Sequence, residues 1–329
     1  MMERTRREYG GFLPLELNKR NEYYQYDNTQ MQRFNCAKAA VDRVLRYIDA
    51  DKVYVPYYLC PNVCKEIERH PAEVCYYYIN NNLLPESLPD EPGICIYLVN
   101  YFGVMDKAIT EYAGKFEKAW VIIDNCHSFF QKPIMGKRFF NVYSCKKFFG
   151  VPDGAYLIGE DIDSRDIKEV YADEKAVYLI ECLEHGTNYC YAKKKSVDHA
   201  IAEKYEGMSV FAQHILMSID YDAVKCQRHE NFSLYEEVFA TSNMLVCEEE
   251  STPYMYPLNI GKNIKKQLVE QKIYVPTLWA STLKEQFKGK LEYRLADETI
   301  FLPVDQRYGK NDIQYIIEVI FDILKDNKC

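Results

Sequence analysis

The sequence predicts an α/β protein with a mostly parallel central sheet and a smaller C-terminal α+β unit, and three observations carry that prediction. Short apolar runs alternate with amphipathic ones through the first half of the chain, the pattern of strands joined by crossover helices. From about residue 194 the texture changes to long helical periodicity. The chain then closes with an apolar run, Ile300-Phe301-Leu302-Pro303, and an amphipathic helix from Asp312 to Leu324. Its 329 residues exceed twice the size of an ordinary domain, about 150 residues. Two units are therefore expected, 1–219 and 220–329. No repeat or low-complexity linker separates them, so they should pack closely.

Near the start, Ala37, Val41, Val44, Leu45 and Ile48 recur at helical spacing, with Asn35 placed to cap the helix. Val53-Tyr54-Val55 reads as a short strand stopped by Pro56, which cannot donate to a sheet ladder. Further strands are expected at Val74 to Ile79, Ile94 to Val99, Trp120 to Ile123 and Ala155 to Ile158, with helices at Cys60 to Arg69 and Lys107 to Phe116. Lys194 to Ser218 reads as one long helical stretch.

Composition removes several function classes. Hydrophobic residues at 48% and charged residues at 27% match a globular chain with a sizeable core. Forty-one Lys and Arg against 49 Asp and Glu leave a net charge of −8, which argues against a general attraction to nucleic acid or to an anionic membrane. The charged start and the lack of any run of about 18 apolar residues predict a cytoplasmic protein. Twelve cysteines in so long a chain, without a CxxC pair or a Cys/His cluster at zinc spacing, predict reduced thiols and no metal.

Ligands of open α/β sheets bind at the carboxyl ends of the strands, which selects two segments. In Trp120-Val121-Ile122-Ile123-Asp124-Asn125-Cys126-His127 an apolar strand ends on a carboxylate, with an imidazole three residues later. The plain alternative is that Asp124 caps the next helix and His127 packs in the core. In Tyr143-Ser144-Cys145-Lys146-Lys147-Phe148-Phe149 two lysines lie between aromatic flanks. A lysine desolvated there gives up its proton readily and serves as a nucleophile; the plain alternative is a surface loop.

In this order and 23 residues apart, the two segments resemble the cofactor segments of the DegT-type sugar aminotransferases, which carry pyridoxal phosphate (PLP) on the fold-type I, aspartate aminotransferase-like scaffold. Further stretches are similar to the same family: Arg33-Phe34-Asn35-Cys36-Ala37-Lys38-Ala39-Ala40, Val55-Pro56-Tyr57-Tyr58, Asn100-Tyr101-Phe102-Gly103, Pro276-Thr277-Leu278-Trp279 and Phe301-Leu302-Pro303-Val304. The resemblance implies that Asp124 keeps the cofactor's pyridine nitrogen protonated and that His127 lies against the cofactor. It also implies a lysine that binds the cofactor aldehyde and then moves a proton. Lys147 matches better than its neighbour Lys146, because the family's acidic residue follows its lysine by six positions, as Asp153 follows Lys147. Ser144 and the backbone N–H groups of Ala37 and Lys38 match the phosphate site, and Tyr58 the strand end beside it.

The resemblance further implies amino transfer from glutamate or glutamine to a keto-sugar, nucleotide-linked, in polysaccharide or secondary-metabolite synthesis, by a homodimer with no metal. Two alternatives stand beside it: a non-catalytic PLP-fold protein that binds or regulates, and a PLP sugar dehydratase, a branch in which a histidine replaces the lysine. This chain departs from the family pattern in having Pro152-Asp153-Gly154-Ala155 for the glycine-rich turn.

Overall fold

The computed structural model describes residues 9–162, 167, 168, 170–248 and 252–326. Its first part is a seven-stranded sheet built from β1 (Met31–Phe34), β2 (Lys52–Pro56), β3 (Glu73–Tyr77), β4 (Ile94–Val99), β5 (Trp120–Asp124), β6 (Phe139–Ser144) and β7 (Ala155–Gly159). The spatial order is β1-β7-β6-β5-β4-β2-β3. From β3 to β6 every pairing is parallel, while β7 runs antiparallel to both β6 and β1. Parallel strands need long crossovers. Here α1 (Ala37–Tyr47), α2 (Pro61–Ile67) and α3 (Asp106–Ala113) lie in three of the connections between strands. All six residues of β4 are buried, the continuous apolar run expected where both faces of a sheet are covered.

The foreseen strands and helices of this part are present with ends moved by a few residues. Two strands carry no clear signal in sequence. β1 is interrupted by Gln32 and Arg33, and β6 by Asn141. Asn141 is fully buried and satisfied: its amide donates to the carbonyls of Ile134 (2.8 Å) and Ile158 (3.1 Å) and its oxygen accepts from Ile134 N–H (2.9 Å). Three hydrogen bonds turn a polar residue into a sheet residue. The expected cap of α1 is corrected: Cys36 occupies the cap position, and the Asn35 amide instead donates to the Lys204 carbonyl at 2.6 Å.

Beyond the sheet come α4 (Val177–His185), α5 (Tyr191–Glu203), α6 (Val210–Leu216) and α7 (Tyr221–Phe239). The single helix expected over 194–218 is therefore two. A Cβ on Gly207 would come within 2.8 Å of the Lys168 carbonyl, so the chain there makes a close backbone approach that only glycine allows. Ser209 then restarts the helix by accepting from Ala212 N–H at 3.2 Å. A second correction concerns the thiols. Cys182 and Cys190 form a disulfide, brought to a Cα separation of 5.9 Å by the reversal after α4 at Gly186.

The C-terminal elements are β8 (Met255–Leu258), α8 (Lys265–Glu270), α9 (Leu291–Glu298), β9 (Ile300–Pro303) and α10 (Lys310–Asp326), with β8 and β9 paired antiparallel. α10 buries Ile313, Ile316, Ile317 and Ile320. One apolar core runs from the large sheet into these elements, joining Val121 and Leu98 to Trp279, Phe301 and Ile320. A second, aromatic core under β6 and β7 holds Tyr24, Phe129, Tyr143, Phe148 and Tyr156. Among the described residues no helix is long and apolar enough to cross a membrane.

Candidate active site

The carboxyl ends of four parallel strands meet along one edge of the sheet and carry the foreseen chemistry there. β2 leads into Tyr58, β4 into Tyr101 and Phe102, β5 ends on Asp124, and β6 ends on Ser144 just before a 3₁₀ turn with Lys146 and Lys147. Asp124 is buried, and no helix follows it, which rules out the capping alternative. Its Oδ2 accepts from the Tyr97 hydroxyl at 2.8 Å and its Oδ1 from Cys126 N–H at 2.9 Å. Tyr97 lies on neighbouring β4, so the carboxylate is aimed by the sheet itself.

His127 is buried, and both of its ring nitrogens have partners. Phe102 N–H donates to Nδ1 at 3.3 Å, and Nε2 lies 2.6 Å from the Lys147 amine. A backbone N–H can only donate, so the neutral ring carries its proton on Nε2. That nitrogen lies against Nζ, so the ring fixes where the Lys147 amine sits. Burial first, and the Lys147 charge second, push His127 well below the usual imidazole value.

This lowered value makes stability depend on pH. A base with a lowered pKa binds fewer protons folded than unfolded, so its contribution to stability is full above about 6.5 and is lost as pH falls below it. Unfolding free energies from urea titrations between pH 7 and 5 should therefore fall in the native protein, by at most about 1.4 kcal/mol per pH unit from this group. His127→Gln should flatten that slope; an unchanged slope would show that His127 is not held neutral.

The two lysines point to different places. Lys146 forms an ion pair with Asp198 on α5. Lys147 lies against His127 and 5.2 Å from the centre of the Tyr254 ring. Aromatic rings cover the pair: Trp279 lies parallel to His127 at 5.4 Å, Tyr254 nearly so at 5.1 Å, and Phe102 at 6.2 Å. Phe102 (φ 61°) and Trp279 (φ 49°) both adopt left-handed backbone, a strain of about 1–3 kcal/mol each that gathers at functional sites. Beside Phe102, a Cβ on Gly103 would collide with the His127 carbonyl at 2.1 Å.

The remaining foreseen residues divide. Tyr58 is fully buried, packs on Trp279 at 4.6 Å, and its hydroxyl has no partner. Ser144 pairs with Ala155, and Gly154 N–H donates to the Asn35 carbonyl at 3.0 Å, which brings the start of α1 beside the end of β6. Ser144 and the backbone N–H groups of Ala37 and Lys38 are then the candidates for holding an anion. The Lys38 amine turns instead to Glu66 (3.6 Å) and the Tyr205 ring (5.1 Å). Asp153 accepts from Ser209 N–H at 2.9 Å and ties the lysine turn to α6.

One group of side chains fits none of this. Asp42, Glu66 and His70 bring ligand atoms within 4.8 Å of one another. Arg46 (2.8 Å) and Arg69 (3.1 Å) already pair with the two carboxylates.

Sequence reasoning misses Tyr97 and Tyr254. Tyr97 lies inside a buried strand, and Tyr254 arrives from more than a hundred residues beyond Asp124, so no local motif marks either.

The strand order with antiparallel β7 is that of the fold-type I, aspartate aminotransferase-like fold, and comparison with solved structures agrees on the fold. The chain is similar to the sugar aminotransferase Spr1654 of Streptococcus pneumoniae in its apo form, at TM-score 0.60 and 17% identity over 91% of this chain and 88% of that one. It is similar to the sugar aminotransferase CalS13 of Micromonospora echinospora at TM-score 0.58 and 15% identity, over 88% and 86%. It is also similar to the Escherichia coli GDP-4-keto-6-deoxy-D-mannose-3-dehydratase with bound hydrated PLP, at TM-score 0.59 and 16% identity, over 88% and 87%. No family model matches the chain, and no curated protein matches it in sequence.

Proposed function

We propose that the protein is a PLP-dependent aminotransferase that moves an amino group from glutamate or glutamine to a keto-sugar. The observation that carries this reading is the Lys147 amine held 2.6 Å from His127 under an aromatic cover, beside the fixed carboxylate of Asp124. The fold shared with sugar aminotransferases supports it. The residues suit the cofactor chemically. Asp124 offers an oriented charge for a protonated ring nitrogen, and its two bonds leave a lone pair on each oxygen. Tyr58 offers an unpartnered buried hydroxyl in the same aromatic cluster. Ser144 with the N–H groups of Ala37 and Lys38 would hold the phosphate.

When bound, PLP supplies an aldehyde for the amino group and a ring that stores the electron pair released at carbon. The chain's own residues do the rest. Lys147 Nζ takes a proton from the substrate carbon and returns one to the acceptor carbon, as a positioned general base and acid. His127 Nε2–H orients that amine. Tyr97 and Cys126 N–H keep the Asp124 carboxylate in place, and Trp279, Tyr254 and Phe102 exclude water. A free lysine favours transfer over the dehydratase alternative, in which the resemblance puts a histidine at this position.

A homodimer belongs to the same reading. The extended segment with Phe12, Leu13 and Leu15, and the α4 face with Ile180 and Leu183, are all exposed, as expected of surfaces that a second copy covers. Sedimentation should give twice 38.7 kDa; a monomer at micromolar concentration would exclude the dimer. The unit boundary at 219/220 is proposed too, just ahead of α7.

The direct test is the first half of the reaction. PLP-loaded protein mixed with glutamate or glutamine alone should release close to one equivalent of 2-oxo acid per chain. No release with either donor would overturn the assignment.

A further inference from the structure

Arg228 on α7 is 1% exposed, and among the described residues it forms no ion pair. Its hydrogen-bond partners are neutral. Nη1 donates to the carbonyls of Pro253 (3.0 Å) and Tyr254 (3.3 Å), Nε donates to Gln306 Oε1 (3.1 Å), and the guanidinium lies 4.4 Å from the centre of the Phe148 ring. Burying a guanidinium is costly, and burial holds this one down at about 10 against the opposing pull of the Asp305 charge. Such a charge is kept for what it arranges, and what it arranges is the cover over Lys147.

The connections are specific. Tyr254, whose carbonyl Arg228 grips, is the residue whose ring lies over the Lys147 amine and along His127. Tyr254 N–H also donates to the Phe102 carbonyl at 3.0 Å, so its backbone is fixed from both sides. Gln306, gripped by Nε, donates from Nε2 to the Phe148 carbonyl at 2.8 Å, and Phe148 directly succeeds Lys147. One side chain thus joins the segment before β8 and the segment after β9 to the turn that carries the lysine.

We propose that Arg228 is a positioning residue that, with Gln306, holds the Tyr254 ring over the Lys147 amine and so sets access to that amine. This role rests on the aminotransferase reading for its functional meaning. A test in the absence of cofactor keeps failure of one distinguishable from failure of the other.

In the full-length, cofactor-free protein, lysines are reductively methylated with formaldehyde and a mild hydride donor, and modification of Lys147 is monitored by peptide mass spectrometry. Lys266, 90% exposed on α8, is the internal reference. Reagent reaches a covered amine through local opening, so loosening the cover raises the Lys147 to Lys266 ratio. The expected result is a rise of about tenfold in Arg228→Met and a smaller rise in Gln306→Leu, with partial return in Arg228→Lys, which can still donate to one carbonyl. Arg46→Met, at an exposed arginine on α1 outside the cover, should leave the ratio unchanged. Should Arg228→Met fail to fold, Gln306→Leu and Tyr254→Ala decide, since both loosen the cover and leave the guanidinium in place. An unchanged ratio in the folded variants, or an equal rise in Arg46→Met, overturns the proposal. If the ratio behaves as expected but no 2-oxo acid is released from the loaded native protein, the positioning role stands and the aminotransferase reading falls.

Discussion

Lys147→Ala abolishes amino transfer while the chain stays folded. The lysine is the group that both attaches the cofactor and moves the proton, and a positioned general base and acid contributes on the order of 10²–10⁴-fold to rate, so the loss should be at least that large. Stability should fall by about 1–3 kcal/mol without loss of the fold, because the Lys147 amine forms no ion pair among the described residues but its removal leaves the buried His127 Nε2 without a partner. Adding methylamine should restore a small part of the activity by supplying a free base. The neighbouring Lys146→Gln should stay within a few-fold of the native rate, because Lys146 is already engaged with Asp198. Steady-state rates for the two variants, with circular dichroism to confirm folding, check both statements.

Asp124→Asn is expected to have the second largest effect. The substitution keeps the shape and an acceptor for the Tyr97 hydroxyl but removes the charge. Removing one preorganised electrostatic partner of a transition state lowers rate by about 10²–10³-fold, and this carboxylate is the charge that the ring nitrogen would face. The melting temperature should move by only a few degrees. Asp124→Ala should add a stability defect to the same loss of rate, because the Tyr97 hydroxyl and Cys126 N–H lose their partner, an unsatisfied buried group costing about 1–3 kcal/mol. If Asp124→Asn kept near-native rates, the carboxylate would be structural and the role given to it would be wrong.

What the sequence reveals depends on how local each signal is. β4 and β5 declare themselves because both faces are covered and their residues are apolar almost throughout. Asp124 and His127 stand out because the strand ends on the first and the second lies three residues on. β1 and β6 are hidden because Gln32 and Asn141 interrupt the apolar pattern, and Asn141 is made acceptable only by its bonds to Ile134 and Ile158. The break in the helix over 194–218 is hidden for a similar reason: Gly207 matters because of Lys168, which no periodicity reveals. The choice between Lys146 and Lys147 rests on spacing in the sequence, and the geometry supports the same choice through Asp198 and His127. Tyr254, Arg228 and Gln306 cannot be read in advance, since they reach the site only by packing of the C-terminal elements onto the sheet.

Whether Lys147 is the residue that takes the cofactor decides the rest, and one measurement addresses it directly. Purified protein is incubated with PLP, its visible absorption recorded, and the mixture reduced with borohydride before peptide mapping. The expected result is an absorption band that bleaches when glutamate or glutamine is added, and a reduced cofactor label found on Lys147. A label on Lys146, or no band and no label at saturating PLP, would contradict the assignment.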